Sequence, residues 1–225
     1  MNFEFNYRAS DSPFVEFIWS TRSTGGGSFI SAAAPTWEMV ITRQRDKTTF
    51  TVRGPETKAS PADTPEDAEF FGIVFKLGTF MPHLTPGNVL DTGIHLPEAS
   101  SKSFWMHGSA WQLPTFDNAD TFLARLMRQG MLEHDPVVSA VLQGHPAHLS
   151  PRALQYRFLR ATGLTQKSIQ QIERAKQAAA LLAKGIPILD TAYETGYFDQ
   201  SHLTRSLKRL TGQTPAQILR LGQPG

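Results

Sequence analysis

The apolar periodicity of this 225-residue chain changes once, near Phe116, and that change limits the folds open to it. Upstream, apolar residues come in short runs rich in Val, Ile, Phe, Trp and Thr: FVEFIWS (14–20), TWEMVIT (36–42), TTFTVR (48–53) and EFFGIVFKL (69–77). Runs of this composition, bounded by turn residues, read as strands. The charged RQRDK between the second and third predicts a hairpin, while STGGGS and GPETKASPADTPED read as connections. Short strands with turn-rich joints predict a small antiparallel barrel or sandwich over residues 1–115. Between Thr79 and Pro114 the pattern is irregular, with one further strand expected in SFWMHGSAW.

Downstream, every segment reads as helix. Asp117 is the expected cap of a helix carrying Phe122, Leu123, Leu126 and Met127 at helical spacing. Pro136 opens a short helix in DPVVSAVLQG. Ser150-Pro151 pairs an N-cap with proline at the first helical position, where its missing N–H costs nothing. That helix buries Leu154, Phe158 and Ala161, and Gly163 stops it. Thr165 is the expected cap of a helix over 166–184, with Ile169, Ile172, Ala175 or Lys176, Ala179 and Leu182 along its stripe. Gly185 ends it, Pro187 starts another, Asp199 caps the next, and Thr214-Pro215 begins a last. The expected fold class is α+β: a β-rich regulatory, effector or dimerisation domain at 1–115, then an all-α domain at 116–225.

Charge follows a similar division. Residues 1–130 hold eleven basic and fourteen acidic side chains, a net −3, whereas residues 131–225 hold eleven and six, a net +5. A basic C-terminal part fits a nucleic-acid partner, and it equally fits a solvated surface. The absence of cysteine excludes disulfides, thiolate metal sites and a cysteine nucleophile, and it fits a reducing compartment. MNFEFNYRAS lacks the basic-then-apolar pattern of a secretory signal, and runs such as FGIVF are far too short to cross a bilayer. A cytoplasmic location with no membrane contact is expected.

The segment 187–210 carries the most chemical information. Ala192 is small enough to let a second helix cross closely, and Gly196 stands where the chain must turn with positive φ. Asp199 then caps a helix that buries Leu203, Leu207 and Leu210. Its other face presents Gln200, Ser201, Thr204, Arg205 and Lys208. A short helix, a tight turn and a second helix with a polar face make a helix-turn-helix, whose second helix enters the major groove. Amide and guanidinium groups make bidentate contacts with adenine and guanine edges, whereas lysine and hydroxyls suit phosphate. A solvated amphipathic helix is the plainer reading of the same pattern. A second copy lies at 136–162, where Arg152, Gln155 and Tyr156 face outward across the longer turn QGHPAH, with Arg157 and Lys208 expected at phosphates. The helix between the copies, about nineteen residues or roughly 28 Å, approaches the pitch of B-DNA, about 34 Å.

LSPRALQYRFLRATGLT, IERAKQAAALLAKG and GYFDQSHLTRSLKRLTGQTPAQI resemble the DNA-binding domain of AraC/XylS-type transcription regulators over residues 136–221. The resemblance implies a two-lobed domain whose recognition helices contact adjacent major grooves. By position it implies Arg152, Gln155 and Tyr156 in the first helix, and Gln200, Ser201, Thr204 and Arg205 in the second, with His202 near phosphate. Two positions depart from the family pattern: arginine is frequent where Tyr156 stands, and the GHPAH turn is long. The family also includes alkyl-transfer repair enzymes, which need a cysteine that this chain lacks. The partners implied are double-stranded DNA, a small-molecule effector and a second copy through the N-terminal domain, with RNA polymerase a further candidate.

No motif assigns residues 1–115 a ligand. Trp19, Trp37, Phe71, Phe75, Trp105 and Trp111 read either as core or as the lining of a barrel mouth for a small apolar or aromatic molecule. His83, His95, His107, His145 and His148 lack the cysteine or carboxylate neighbours of a metal site, so no metal or cofactor is expected. Neither a catalytic constellation nor a phosphate loop is present, and TGGGS lacks the lysine such a loop needs. The alternative to a regulator is a small-molecule-binding or catalytic β-barrel whose helical tail serves assembly.

Overall fold

A computed structural model of the chain describes residues 4–222. Its strands are β1 (Asn6–Arg8), β2 (Val15–Ser23), β3 (Gly27–Ser31), β4 (Glu38–Gln44), β5 (Lys47–Arg53), β6 (Ser60–Thr64), β7 (Ala68–Phe75) and β8 (Thr79–Phe80). Then come β9 (Gly93–Leu96), β10 (Glu98–Ser100), β11 (Ser103–Met106), β12 (Ser109–Gln112) and β13 (Glu133–His134). The helices are α1 (Ala119–Arg128), α2 (Pro136–Leu142), α3 (Pro151–Thr162), α4 (Gln166–Ala183), α5 (Ile188–Glu194), α6 (Gln200–Thr211) and α7 (Pro215–Gly222). A β-rich part is followed by a helical part, the α+β class that the periodicity predicts, although the short strand β13, held by pairing with β8, interrupts the helices where only helix was expected.

The chain divides into two compact units. The first takes Met1–Gly27, Thr36–Pro55 and Asp63–Thr165; the second takes Ser28–Pro35, Glu56–Ala62 and Gln166–Gly225. Helices α1 to α3 therefore pack with the β elements, while two short pieces of the β-rich sequence pack with α4 to α7. Between the units the backbone passes five times, after residues 27, 35, 55, 62 and 165.

In the first unit the main sheet runs β1-β2-β7-β4-β5-β9, with every neighbouring pair antiparallel. The four strands expected from their β-branched and aromatic content are its four central members. RQRDK makes the β4–β5 hairpin, with Gln44 opposite Lys47. One face alternates inward: Ile18, Ile73, Met39 and Val52 sit in one row of the core. Trp37 stacks on Phe75 at 3.9 Å and Phe50 on Phe104 at 4.1 Å. Helix α1 adds Phe122, Leu123 and Leu126 to this core. Its cap position is Asn118 rather than the expected Asp117, because Asn118 is one residue closer to the first turn; its amide oxygen accepts from the Thr115 N–H at 2.8 Å instead. Arg8 ties β1 to α1 by donating to Asp120 at 2.7 Å.

In the second unit, α4 buries Ile169, Ile172, Ala175, Ala178 and Leu182, so Ala178 takes the place expected of Ala179 and Lys176 points to solvent. Helices α5, α6 and α7 all pack on α4. Strands β3 and β6, in stretches read from sequence as connections, pair as a two-stranded ribbon. Beyond it, Ala33 and Ala59 donate backbone N–H groups to the carbonyls of Leu210 (2.7 Å) and Arg209 (2.8 Å). Those carbonyls belong to the last turn of α6, where no intrahelical partner exists.

Candidate nucleic-acid interface

The second helix-turn-helix is built from local signals. Ala192 is 4% exposed, and Tyr197 N–H returns to its carbonyl at 2.9 Å to close the turn. Gly196 takes φ 69°, the left-handed value its position demands. Asp199 accepts from the His202 N–H at 2.6 Å, a cap of the kind that stabilises a helix by about 1 kcal/mol. Leu203, Leu207 and Leu210 are buried at 0, 0 and 2% exposure, together contributing on the order of 5 kcal/mol. With those three fixed inward, the wheel of α6 leaves Gln200, Ser201, Arg205 and Lys208 exposed on the opposite side.

Not every outward residue is free to bind. The Thr204 hydroxyl donates to the Gln200 carbonyl at 2.8 Å, and Lys208 Nζ donates to the Gly212 carbonyl at 2.9 Å. His202 lies edge-on to the Tyr197 ring, centroids 5.1 Å apart. Sequence reasoning passed over Phe198 and Tyr193, which are 91 and 88% exposed beside the start of α6. The signal was present: two successive aromatics before a capping Asp leave only one that can turn inward, and Tyr197 takes that place.

The first helix-turn-helix, α2 and α3, has the same parts in a different setting. Asp135 caps α2 by accepting from Val137 and Val138 at 3.0 and 3.3 Å, and Ser150 caps α3 by accepting from Ala153 at 3.2 Å. Phe158 and Ala161 are buried as expected, whereas Leu154 is half-buried. Arg152, Gln155 and Tyr156 are exposed, Tyr156 by 66%. Arg157 is engaged: its Nη1 donates to both Asp135 oxygens at 3.1 and 3.0 Å, so it fastens α3 to the cap of α2. Helix α3 also packs on β8 and on the single helical turn Pro86–Val89. Under α2, His134 joins two elements, with Nδ1 at 3.1 Å from Thr79 Oγ1 and Nε2 at 2.8 Å from Ser139 Oγ. Burial holds the imidazole below its ordinary range, with Lys76 adding to the effect against Asp135.

The aromatics of the β-rich part divide by role. Trp37, Phe71, Phe75 and Trp111 belong to the core, and Trp105 is exposed. Trp19 is half-buried, donates to Glu38 at 3.1 Å and lies over Gly72, where a Cβ would meet its ring at 2.2 Å. A cavity of about 490 Å³ at one end of the sheet is lined by Phe71 and Phe116 below, with Arg22, Glu69 and Arg43 in one cross-strand row above. His83 stacks on His107 at 3.5 Å, His95 bonds Thr51, and His145 and His148 are exposed. Among the described residues no three His, Cys, Asp or Glu side chains converge as metal ligands, and no helix is long and apolar enough to cross a membrane.

Residues 145–221 match the family model of a helix-turn-helix domain. The Regulatory protein ada of Salmonella typhimurium is 33% identical over 92 residues, covering 41% of this chain and 26% of that protein. The HTH-type transcriptional regulator RipA of Corynebacterium diphtheriae is 33% identical over 96 residues, covering 42% and 29%. The chain thus spans between a quarter and a third of the length of these curated relatives. Among solved structures, a ToxT chain of Vibrio cholerae is similar at a TM-score of 0.43 and 11% identity, covering 96% of this chain and all of that one. The matched residues include both α3 and α6 with their caps, and residues 145–221 are similar to the helix-turn-helix domains of these regulators.

Proposed function

We propose that the chain is a sequence-specific, double-stranded-DNA-binding regulator of transcription, acting in the cytoplasm, and not an enzyme. One observation carries the reading: α6 is held by three buried leucines and a capping Asp so that Gln200, Ser201 and Arg205 stand in solvent along one edge. An assembly helix would put apolar groups there. Gln200 and Arg205 are the base readers of this head, Ser201 is a backbone contact, and Lys208 is a second through the two ammonium N–H groups that its bond to the Gly212 carbonyl leaves over. Phe198 adds an apolar surface of the kind that meets a thymine methyl. In the first head Arg152, Gln155 and Tyr156 take the corresponding roles; Arg157, fastened to Asp135, has its remaining N–H groups for phosphate. Thr204 approaches the duplex through its methyl, since its hydroxyl is occupied.

Residues 1–115 act as the regulatory domain and 116–225 as the DNA-binding domain, a division of labour that need not follow the compact units. The 490 Å³ cavity is the site assigned to a small effector, and self-association and contact with RNA polymerase are assigned to the intact regulator. Selection of bound fragments from random duplex DNA by the full chain tests the reading. Enrichment of one asymmetric site with two blocks about ten base pairs apart supports it, and recovery of no preferred sequence overturns it.

A further inference from the structure

The cationic surface of the second unit extends past the reading edge of α6. On α4, Lys167, Gln170, Gln171 and Arg174 stand at i, i+3, i+4 and i+7, which places them on one face. On α6, His202, Arg205, Ser206 and Arg209 repeat that spacing. The two stripes border one groove of about 780 Å³, with Tyr197 and Leu210 also in its lining. Tyr197 organises it: its hydroxyl lies 3.0 Å from Ser206 Oγ, Arg174 sits 5.7 Å from its ring centroid, and His202 meets the ring edge-on. The lining contains no carboxylate. Among the described residues, no ion pair involves Lys167, Arg174, Arg205 or Arg209. Four cations left unneutralised around one concavity repel one another, and an anion laid between them relieves that repulsion.

We propose that the α4–α6 groove binds the sugar-phosphate backbone of double-stranded DNA, as a phosphate track beside the base-reading edge. The proposal rests on the DNA-binding reading above and deepens it. Continuity favours this occupant: Arg205 belongs both to the reading edge and to the groove, so a duplex whose bases meet that edge carries its phosphates alongside. The chemistry agrees, because guanidinium, ammonium and amide donors are the groups that contact phosphate oxygens. Tyr197, 7% exposed, offers little surface for the body of an apolar ligand. Lys167 and Arg209 are the principal phosphate contacts, with Gln170 and Gln171 as neutral donors between them.

The test compares the full chain with a Lys167→Gln/Arg209→Gln variant and, separately, with Gln171→Glu. Affinities for mixed-sequence duplex DNA and for polyglutamate are measured across a salt series, with far-UV circular dichroism checking the helices. The double variant is expected to flatten the slope of log affinity against log salt by about two, with roughly ten- to hundredfold weaker binding at low salt. Base preference in selection stays the same. Gln171→Glu, on an exposed helix face that tolerates it, weakens DNA binding in the same sequence-independent way and keeps the test valid should the double variant fail to fold. Slopes equal to wild type overturn the track, as does a loss confined to polyglutamate, which assigns the groove to an acidic protein segment. A wild-type chain that ignores duplex DNA overturns the regulator reading and the track together; wild-type binding with unchanged variant slopes overturns the track alone.

Discussion

Helices α3 and α6 both end in a glycine with left-handed backbone, Gly163 at φ 70° and Gly212 at φ 75°, and each glycine lies against a segment from the N-terminal half of the sequence. The segments differ in kind. A Cβ at Gly163 would meet backbone, Gly87 N at 2.7 Å and Pro86 C at 2.9 Å. At Gly212 it would meet a side chain, Ile30 Cγ2 at 2.5 Å, and Ile30 is itself 52% exposed and has room to turn. The first candidate head is therefore set against main chain that cannot yield, and the second is steadied by a ribbon whose contact surface is adaptable. One helix-turn-helix pattern, repeated within a chain, is supported in two mechanically different ways.

The largest expected effect bears on that difference. Gly163→Ala combines the left-handed penalty with a backbone collision and is expected to destabilise the first unit by about 3 kcal/mol or more. Gly212→Ala is expected to cost about 1–2 kcal/mol, since Ile30 can move. All four tryptophans (19, 37, 105 and 111) lie in the first unit, so tryptophan fluorescence reports its unfolding, while circular dichroism at the helical band reports both units and draws more on the helix-rich second. Equal costs at the two glycines would erase the contrast; partial rescue of Gly212→Ala by a second change, Ile30→Ala, would sharpen it.

Next in size, Arg205→Ala is expected to lose about 1–3 kcal/mol of site-specific binding and to relax preference at one base pair. Arg152→Ala does the same at the other block of the site. Binding isotherms on single-base variants of the selected site check both, and a loss uniform across all sequences would remove Arg205 from base reading. Arg157→Ala is expected to act mainly on stability, by less than about 1 kcal/mol because the pair with Asp135 is partly solvated. A denaturant midpoint that does not move, together with weaker DNA binding, would reverse that assignment.

The smallest effect is a pH dependence confined to the first unit. Burial depresses the His134 imidazole in the folded chain, so the unfolded chain binds the proton more readily. Stability is then fully present above the ordinary histidine range, near pH 6.5, and is lost as pH falls through that range toward the lower folded value. Fluorescence-monitored unfolding should show this decline, and His134→Gln should flatten it. A decline of the same size in the variant assigns it to other groups.

The second head was legible in the sequence because its signals are local. Asp199, Gly196, Ala192 and the three leucines lie within about twenty residues, and each states its own role through capping, turn or periodicity. The four central strands were legible for the same reason. The ribbon was not: FIS and SPADT lie among glycines and prolines and have weak strand character, and they become strands through pairing with each other near α6. The groove was half legible. Its α4 stripe can be counted along the chain, but the surface it faces is set by how α6 packs. Arg157 shows the opposite limit, since its charge was plain and its engagement by Asp135, twenty-two residues upstream, was not.

The ribbon also sets an order of events during synthesis. Ala33 leaves the ribosome roughly 180 residues before Leu210, whose carbonyl its N–H will meet. At about 5–20 residues per second that is an interval of about ten to forty seconds. Throughout it the Ala33 N–H, joined after a further 26 residues by that of Ala59, has no acceptor in α6 yet made. Completing the last helices then includes joining segments far apart in sequence, a late step of high contact order.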